Sequence, residues 1–210
     1  MVMTDQSPDA GLPALPERLA SVFRALRNGR HISRNDGLDF LDLERHTALY
    51  EHLLFGLGYT LRSHNQGFFY LEGTGALRSD RMRKALLFLL ILFQDLEEGK
   101  LKREDRAWEK SLLRTTFKLS ELPHFQTPQR RSLMAQVDVD ESKVSDLLGS
   151  LKQLGVVRLL SDEQFGFLPP VYRFIDLCMR YADDANWTTP GTADLAEDRP
   201  APEEEVEADS

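Results

Sequence analysis

Five histidines and one cysteine are the side chains of this 210-residue chain best suited to metal binding or nucleophilic chemistry. The histidines stand at 31, 46, 52, 64 and 124, and none is four residues from another. Four is the helical spacing that aims two rings at one metal. His46 and His52, six apart, point to different sides of a helix. Cys178 lies among Ile175, Leu177 and Met179, the setting of a buried thiol rather than a nucleophile. No serine carries the glycines of a nucleophile elbow. Gly56-Leu57-Gly58 and Gly73-Thr74-Gly75 lack the third glycine and the strand-to-helix setting of a phosphate loop, and no Gly-Lys-Ser or Gly-Lys-Thr occurs. The chain reads as a non-enzyme, with no catalytic residue, no metal and no cofactor.

The cations suggest different chemistry. Arg78, Arg81, Arg83 and Lys84 are opposed only by Asp80. Lys100, Lys102, Arg103, Arg106, Lys110, Arg114 and Lys118 face Glu104, Asp105 and Glu109. Such runs are either solvated faces or clusters that make sequence-independent contacts to DNA phosphates, with steep salt dependence. Arg130, Arg131, Lys143, Lys152 and Arg158 are the candidates for weak, non-specific phosphate contact.

The net charge of −8 argues against a surface devoted to nucleic acid. That charge is unevenly spread. Residues 183–210 carry ten acids and one base, Arg199, leaving 25 cations and 24 acids elsewhere. This acidic segment is rich in Pro and Ala and reads as a disordered tail, either solubilising or competing for a basic surface. The single cysteine excludes a disulfide framework. The polar N-terminus has no signal pattern. The longest apolar run, Ala85–Phe93, is nine residues, against about 20 for a bilayer span. A soluble, cytoplasmic protein is expected.

These residues must be positioned by helices and short hairpins. Leu15, Leu19, Val22, Phe23 and Leu26 recur at helical spacing before Gly29. Residues 29–33 form a short strand. Leu38–Leu57 reads as one helix with Leu38, Leu41, Leu49, Leu53, Leu54 and Leu57 facing the core. Tyr59–Ser63 and Phe68–Leu71 flank the turn His64-Asn65-Gln66-Gly67. Ser79–Glu98 is the strongest helix. Residues 100–131, charged and interrupted by Pro123 and Pro128, hold one or two helices. Val144, Leu147, Leu148, Leu151 and Leu154 form a clean helical stripe after the N-cap Asp140. A second hairpin, Val156–Leu160 and Phe165–Leu168, precedes a helix from Pro170 to about Tyr181.

Leu57, Gly58, Phe68, Tyr70 and Leu71 lie 97 residues before Leu154, Gly155, Phe165, Phe167 and Leu168. Each set runs helix, glycine stop, strand, turn, aromatic strand. The expected fold is mainly α with small β-hairpins, an α+β class of tandem winged-helix domains. Its divisions are a flexible arm (1–14), a first winged-helix domain including the long connecting helix (15–99), a second (100–182), and the acidic tail (183–210). A winged helix reads DNA with the helix before its wing. Leu38–Leu57 carries Asp39, Asp42, Glu44 and Glu51 against Arg45, and residues 138–154 carry Asp138, Asp140, Glu141 and Asp146 against Lys143 and Lys152. Acids repel a phosphate backbone, so protein contact is favoured over base reading.

Gly29-Arg30-His31-Ile32, Gly67-Phe68-Phe69-Tyr70-Leu71, Val171-Tyr172-Arg173-Phe174 and the acidic tail resemble MukE, and the short length and abbreviated link between domains most resemble MksE. The resemblance spans about Leu15–Tyr181. It implies a homodimeric, non-catalytic, nucleoid-associated subunit of a bacterial condensin. Such a subunit binds a kleisin (MksF-like) and, through it, an SMC-like ATPase (MksB-like), and so supports chromosome organisation and segregation. Arg30, Tyr172 and Phe174 are the candidate partner-binding residues. The sparse cations of the helix before the second wing depart from MukE. Alternatives are a winged-helix transcription regulator, a plasmid-defence subunit, or a kleisin binder of the ScpB type.

Overall fold

A computed structural model of the chain describes residues 15–72, 80–98 and 107–183. The expected arm (1–14) and the acidic segment after Asp183 lie outside the described residues. The helices are α1 (Leu19–Arg27), α2 (Leu38–Arg45), α3 (Thr47–Gly56), α4 (Asp80–Glu98), α5 (Ala107–Leu112), α6 (Pro128–Gln136), α7 (Val144–Gln153) and α8 (Val171–Asp183). The strands are β1 (Ile32–Ser33), β2 (Thr60–His64), β3 (Phe68–Glu72), β4 (Thr116–Lys118), β5 (Val157–Ser161) and β6 (Gln164–Phe167). They form two three-stranded antiparallel sheets of order β1-β3-β2 and β4-β6-β5. The expected α+β class, mostly helical with small sheets, is what the chain adopts.

Two cores organise these elements. In the first, Val22 and Leu26 of α1, Phe40 and Leu43 of α2, and Tyr50 and Leu54 of α3 pack on Ile32, Leu61, Phe69 and Leu71 of the first sheet. The second gathers α4 through α8 on Phe165 and Phe167. Seven residues of α4, from Met82 to Phe93, are buried in this second core. The long helix therefore packs with the second unit, and the expected boundary at 99 does not coincide with the packing. Its apolar residues cover more than half of its circumference, which suits a helix enclosed by α6, α7 and α8 rather than a connector.

The expected helix 38–57 is broken at His46 (φ −116°, ψ 26°). Thr47 opens the next helix, its hydroxyl donating to the Leu43 carbonyl at 2.9 Å. The break shifts the helical phase. Phe40, Leu43, Tyr50 and Leu54 face inward, whereas Leu38, Leu41 and Leu57 are exposed. The Tyr50 hydroxyl donates to Asp42 at 2.6 Å and ties the two helices together. Residues 107–136 hold α5 and α6 as expected, together with the unexpected strand β4, too short to leave an alternating pattern.

The internal repeat holds with one correction. Leu61 pairs Leu71 and Ser63 pairs Phe69, while Val157 pairs Phe167 and Leu159 pairs Phe165. By position in the sheet, Phe69 and Leu71 therefore correspond to Phe165 and Phe167, an offset of 96. The glycine stops keep 97, because Gly155 stands two residues before the inward-facing Val157, whereas Gly58 stands three before its counterpart Leu61. A one-residue slip turns every strand side chain to the opposite face. Phe68 and Tyr70, aligned with the buried phenylalanines at offset 97, thus point away from the first core.

Gly58 (φ +82°) and Gly155 (φ +77°) end α3 and α7 in the left-handed region, which glycine enters at little cost. Their surroundings differ. A Cβ on Gly58 meets nothing within 4 Å, whereas one on Gly155 stands 2.6 Å from the His31 carbonyl oxygen. Gly58→Ala should cost about 1–2 kcal/mol through backbone strain. Gly155→Ala adds a clash with backbone and should cost roughly 2–4 kcal/mol. Urea denaturation of both variants checks this difference; equal costs would remove the close approach of α7 to β1.

Candidate functional site

The three sequence motifs far apart in the chain meet at one place, the joint between the two units. His31, just before β1, lies at its centre and has no exposed surface. Its backbone N–H donates to the Leu154 carbonyl at 2.9 Å, and its ring Nδ1–H donates to the same oxygen at 3.1 Å. Arg173 of α8 donates from Nη1 to Nε2 of the ring at 2.8 Å. An imidazole that donates at Nδ1 and accepts at Nε2 is neutral, in one tautomer. Burial, then the neighbouring Arg173 charge, lowers its pKa to about 3.

Aromatic side chains enclose that ring. Phe68, Tyr70 and Phe174 stand with ring centroids 5.9, 5.8 and 5.8 Å from it. The Arg173 guanidinium lies 3.9 Å from the Tyr70 centroid, a cation–π contact. One turn along α8, Asp176 accepts from His64 Nε2 at 3.0 Å, and His64 stacks on Phe68 at 4.3 Å. Gln66 donates its backbone N–H to His64 Nδ1 at 3.2 Å, which leaves the proton on Nε2 for Asp176. Thus α8, whose inner face belongs to the second core, covers the outer face of the first sheet. Fully buried Phe68 belongs to neither unit's core.

The expected partner residues take up these structural duties. Phe174 has 0% exposure and presents no surface. The Tyr172 hydroxyl donates to the Glu109 carbonyl at 3.0 Å, and the ring packs on the second core. Arg30 donates to Asp36 (2.8 Å from Nε) and reaches the Gln153 carbonyl at 3.4 Å, so it spans the joint. His31 and Arg173 lie inside two of the motifs, yet local sequence does not single them out; a glycine followed by a cation and a histidine gives no sign of burial.

Of the candidate phosphate contacts, Arg130 is engaged by Asp95 at 2.7 Å and Glu98 at 3.3 Å. Lys143 is engaged by Asp138 at 2.6 Å, with Asp140 at 3.8 Å. Arg131 is exposed and donates to the Phe125 carbonyl at 2.7 Å. Lys152 and Arg158 are exposed, with no acidic partner among the described residues. The five stand on different elements: Arg130 turns to α4, Lys152 lies in the last turn of α7 and Arg158 on β5.

The helices before the hairpins present little cation. α3 contains no lysine or arginine, and its exposed side chains are Ala48, Glu51, His52 and Phe55. Phe55 is 77% exposed and Leu57, just beyond, 60%. Sequence periodicity misses these two because it assigns Leu57 to the core of an unbroken helix. α7 exposes Ser145, Asp146, Lys152 and Gln153. Among the described residues no cluster of three His, Cys, Asp or Glu side chains is disposed to hold a metal, and no helix is long and apolar enough to cross a membrane. Cys178 is a free thiol that burial pushes up to about 11.

Two buried rings, one at the joint and one in the second unit, give the fold a pH signature. A second buried ring, His124, donates from Nε2 to the Phe88 carbonyl at 2.7 Å and stacks on Phe88 at 4.0 Å. Burial lowers its pKa to about 4. Below the ordinary histidine value of 6.5, the unfolded chain takes up protons that the folded rings refuse. Stability is therefore full above about pH 6.5 and falls as pH drops toward 4, by on the order of 1 kcal/mol per pH unit for each ring. His31→Gln keeps one donor and one acceptor, and should remove about half of that slope between pH 6.5 and 4.5 in urea titrations. An unchanged slope would mean that His31 is not a buried neutral ring.

No curated protein matches the chain. A family model described as condensin complex protein MksE matches residues 17–179, a span that takes in both cores and the joint. The chain accordingly belongs to the MksE family of condensin complex proteins.

Proposed function

We propose that this condensin subunit is a non-catalytic adaptor that binds a kleisin and, through it, an SMC-like ATPase. On this reading it works as a homodimer on the nucleoid and contributes to chromosome organisation and segregation. The two units are proposed as tandem winged helices: each sheet places its first strand beside the last, and two helices precede each hairpin. The observation that carries the reading is the face of α3. The helix that would enter a major groove has no cation and offers Glu51, Phe55 and Leu57. Apolar and acidic side chains gain nothing against phosphates, but an apolar side chain of a protein partner buries them at roughly 25 cal/mol per Å².

Arg30, Tyr172 and Phe174 act in partner binding by holding the joint, which fixes the angle between the units, rather than by contact. DNA contact is weak, independent of sequence, and made by Arg131, Lys152 and Arg158, the three candidates with no acid engaged to them among the described residues. A transcription regulator would need cations on α3 or α7, where only Lys152 stands.

Co-expression with a kleisin subunit of a condensin of this family should give a complex that co-elutes on size exclusion. Separate elution of two folded proteins would overturn the kleisin reading. Phe55→Glu with Leu57→Glu should weaken the complex at least about tenfold and leave thermal unfolding unchanged, since both side chains are exposed. Full binding by that double variant would keep the kleisin but reject α3 as its seat.

A further inference from the structure

Each sheet turns one face from its own core, and the two outer faces are built differently. On the first sheet His31, His64, Phe68 and Tyr70 lie beneath α8. Strand register places Thr116, Gln164, Gly166 and Arg158 on the corresponding face of the second. Arg158 lies across the glycine: its Nε is 3.5 Å from the point where a Gly166 Cβ would stand, and the Thr115 carbonyl is 3.7 Å from the same point. Arg114, the residue before Thr115, is exposed too, and neither arginine has an acidic partner among the described residues. Asp162 and Glu163 sit in the hairpin turn at the other end of the strands, roughly 10 Å away at about 3.3 Å per residue. Leu160 (47% exposed) stands at the register irregularity on the free edge of β5, while Leu159, opposite inward Phe165, belongs to the other face.

We propose that this face takes the chain's own acidic segment, residues 184–210. That segment holds nine carboxylates against Arg199, with Trp187, Leu195 and Val206 to meet Leu160 at the free edge beside this face. It begins where α8 ends, and α8 starts four residues after β6. A 13-residue helix carries the chain about 20 Å from the sheet, while 27 residues span up to about 90 Å, so the segment returns with slack. Closing a loop of this length costs little more than closing a shorter one. Each sheet is then covered by a later stretch of the same chain: the first by α8, the second by the acidic segment. Duplex DNA that reaches Arg158 must displace the segment, which sets a salt-dependent threshold for phosphate contact. The intramolecular contact itself rests on neither kleisin nor DNA binding.

The full chain with Cys178→Ala and Ala201→Cys carries one nitroxide within the acidic segment. At about 25 mM salt the label should broaden amide signals of residues 114–118 and 158–166, and the broadening should vanish at about 500 mM and in Arg114→Glu with Arg158→Glu. No broadening, broadening centred on the first unit, or persistence in the charge-reversed variant would overturn the proposal. A chain ending at Asp183 should also bind duplex DNA of arbitrary sequence at least about tenfold tighter than the full chain at low salt. Equal affinity would reject the threshold. If neither chain binds DNA, the phosphate reading fails while the labelling still decides the segment's position.

Discussion

One neutral imidazole holds the two units in register. His31 receives a guanidinium proton on one side and gives its own to a helix C-terminal carbonyl on the other. A protonated ring could not accept from Arg173, and two cations would then meet inside an aromatic enclosure. The geometry therefore demands neutrality, and the lowered pKa expresses the same constraint in another measure. Arg173 tolerates its own partial burial because the Tyr70 face, together with the Glu72 charge, supplies negative potential. With Gly155 pressed against the His31 carbonyl, α7, β1 and α8 are locked at a single point.

That lock explains the unequal sheets. A sheet covered on both faces reads as a continuous aromatic run, and Phe68-Phe69-Tyr70-Leu71 is one. Phe69 and Leu71 serve the sheet's own core, Phe68 and Tyr70 serve α8. The second sheet alternates instead, with Phe165 and Phe167 inward and Gln164 and Gly166 outward. The same order of elements was thus adapted to two environments by moving the strand one residue relative to the glycine that precedes it. The repeat is one of architecture, and side-chain chemistry is set by the element that covers each face.

This is why much of the fold was legible and the joint was not. The α7 stripe, both hairpins and the long apolar helix are local patterns, set by periodicity and turn residues within about 20 positions. The break at His46 was hidden because no proline or glycine marks it, and the exposed Leu38, Leu41 and Leu57 imitate core positions. Membership of α4 in the second core depends on contacts with α6, α7 and α8, which no local window contains. His31, Leu154 and Arg173 meet across more than 100 residues, and each looks ordinary where it stands. Only the resemblance placed Gly29–Ile32, Gly67–Leu71 and Val171–Phe174 together, and it did so without saying that they touch.

A locked joint also bears on the proposed adaptor role. Two units free to swing would lose that freedom when a partner contacts both, and the loss would subtract from affinity. Units already fixed by His31, Arg173 and Gly155 have lost it on folding, so a partner spanning them keeps more of the contact energy it makes. The same rigidity separates the faces by chemistry. The α3 face with Phe55 and Leu57 is apolar and acidic, whereas Lys152 and Arg158 stand on the other unit. On the proposed reading, a protein segment on α3 and a phosphate backbone at Arg158 do not compete for the same side chains. Were the two faces on one helix, binding of either would exclude the other.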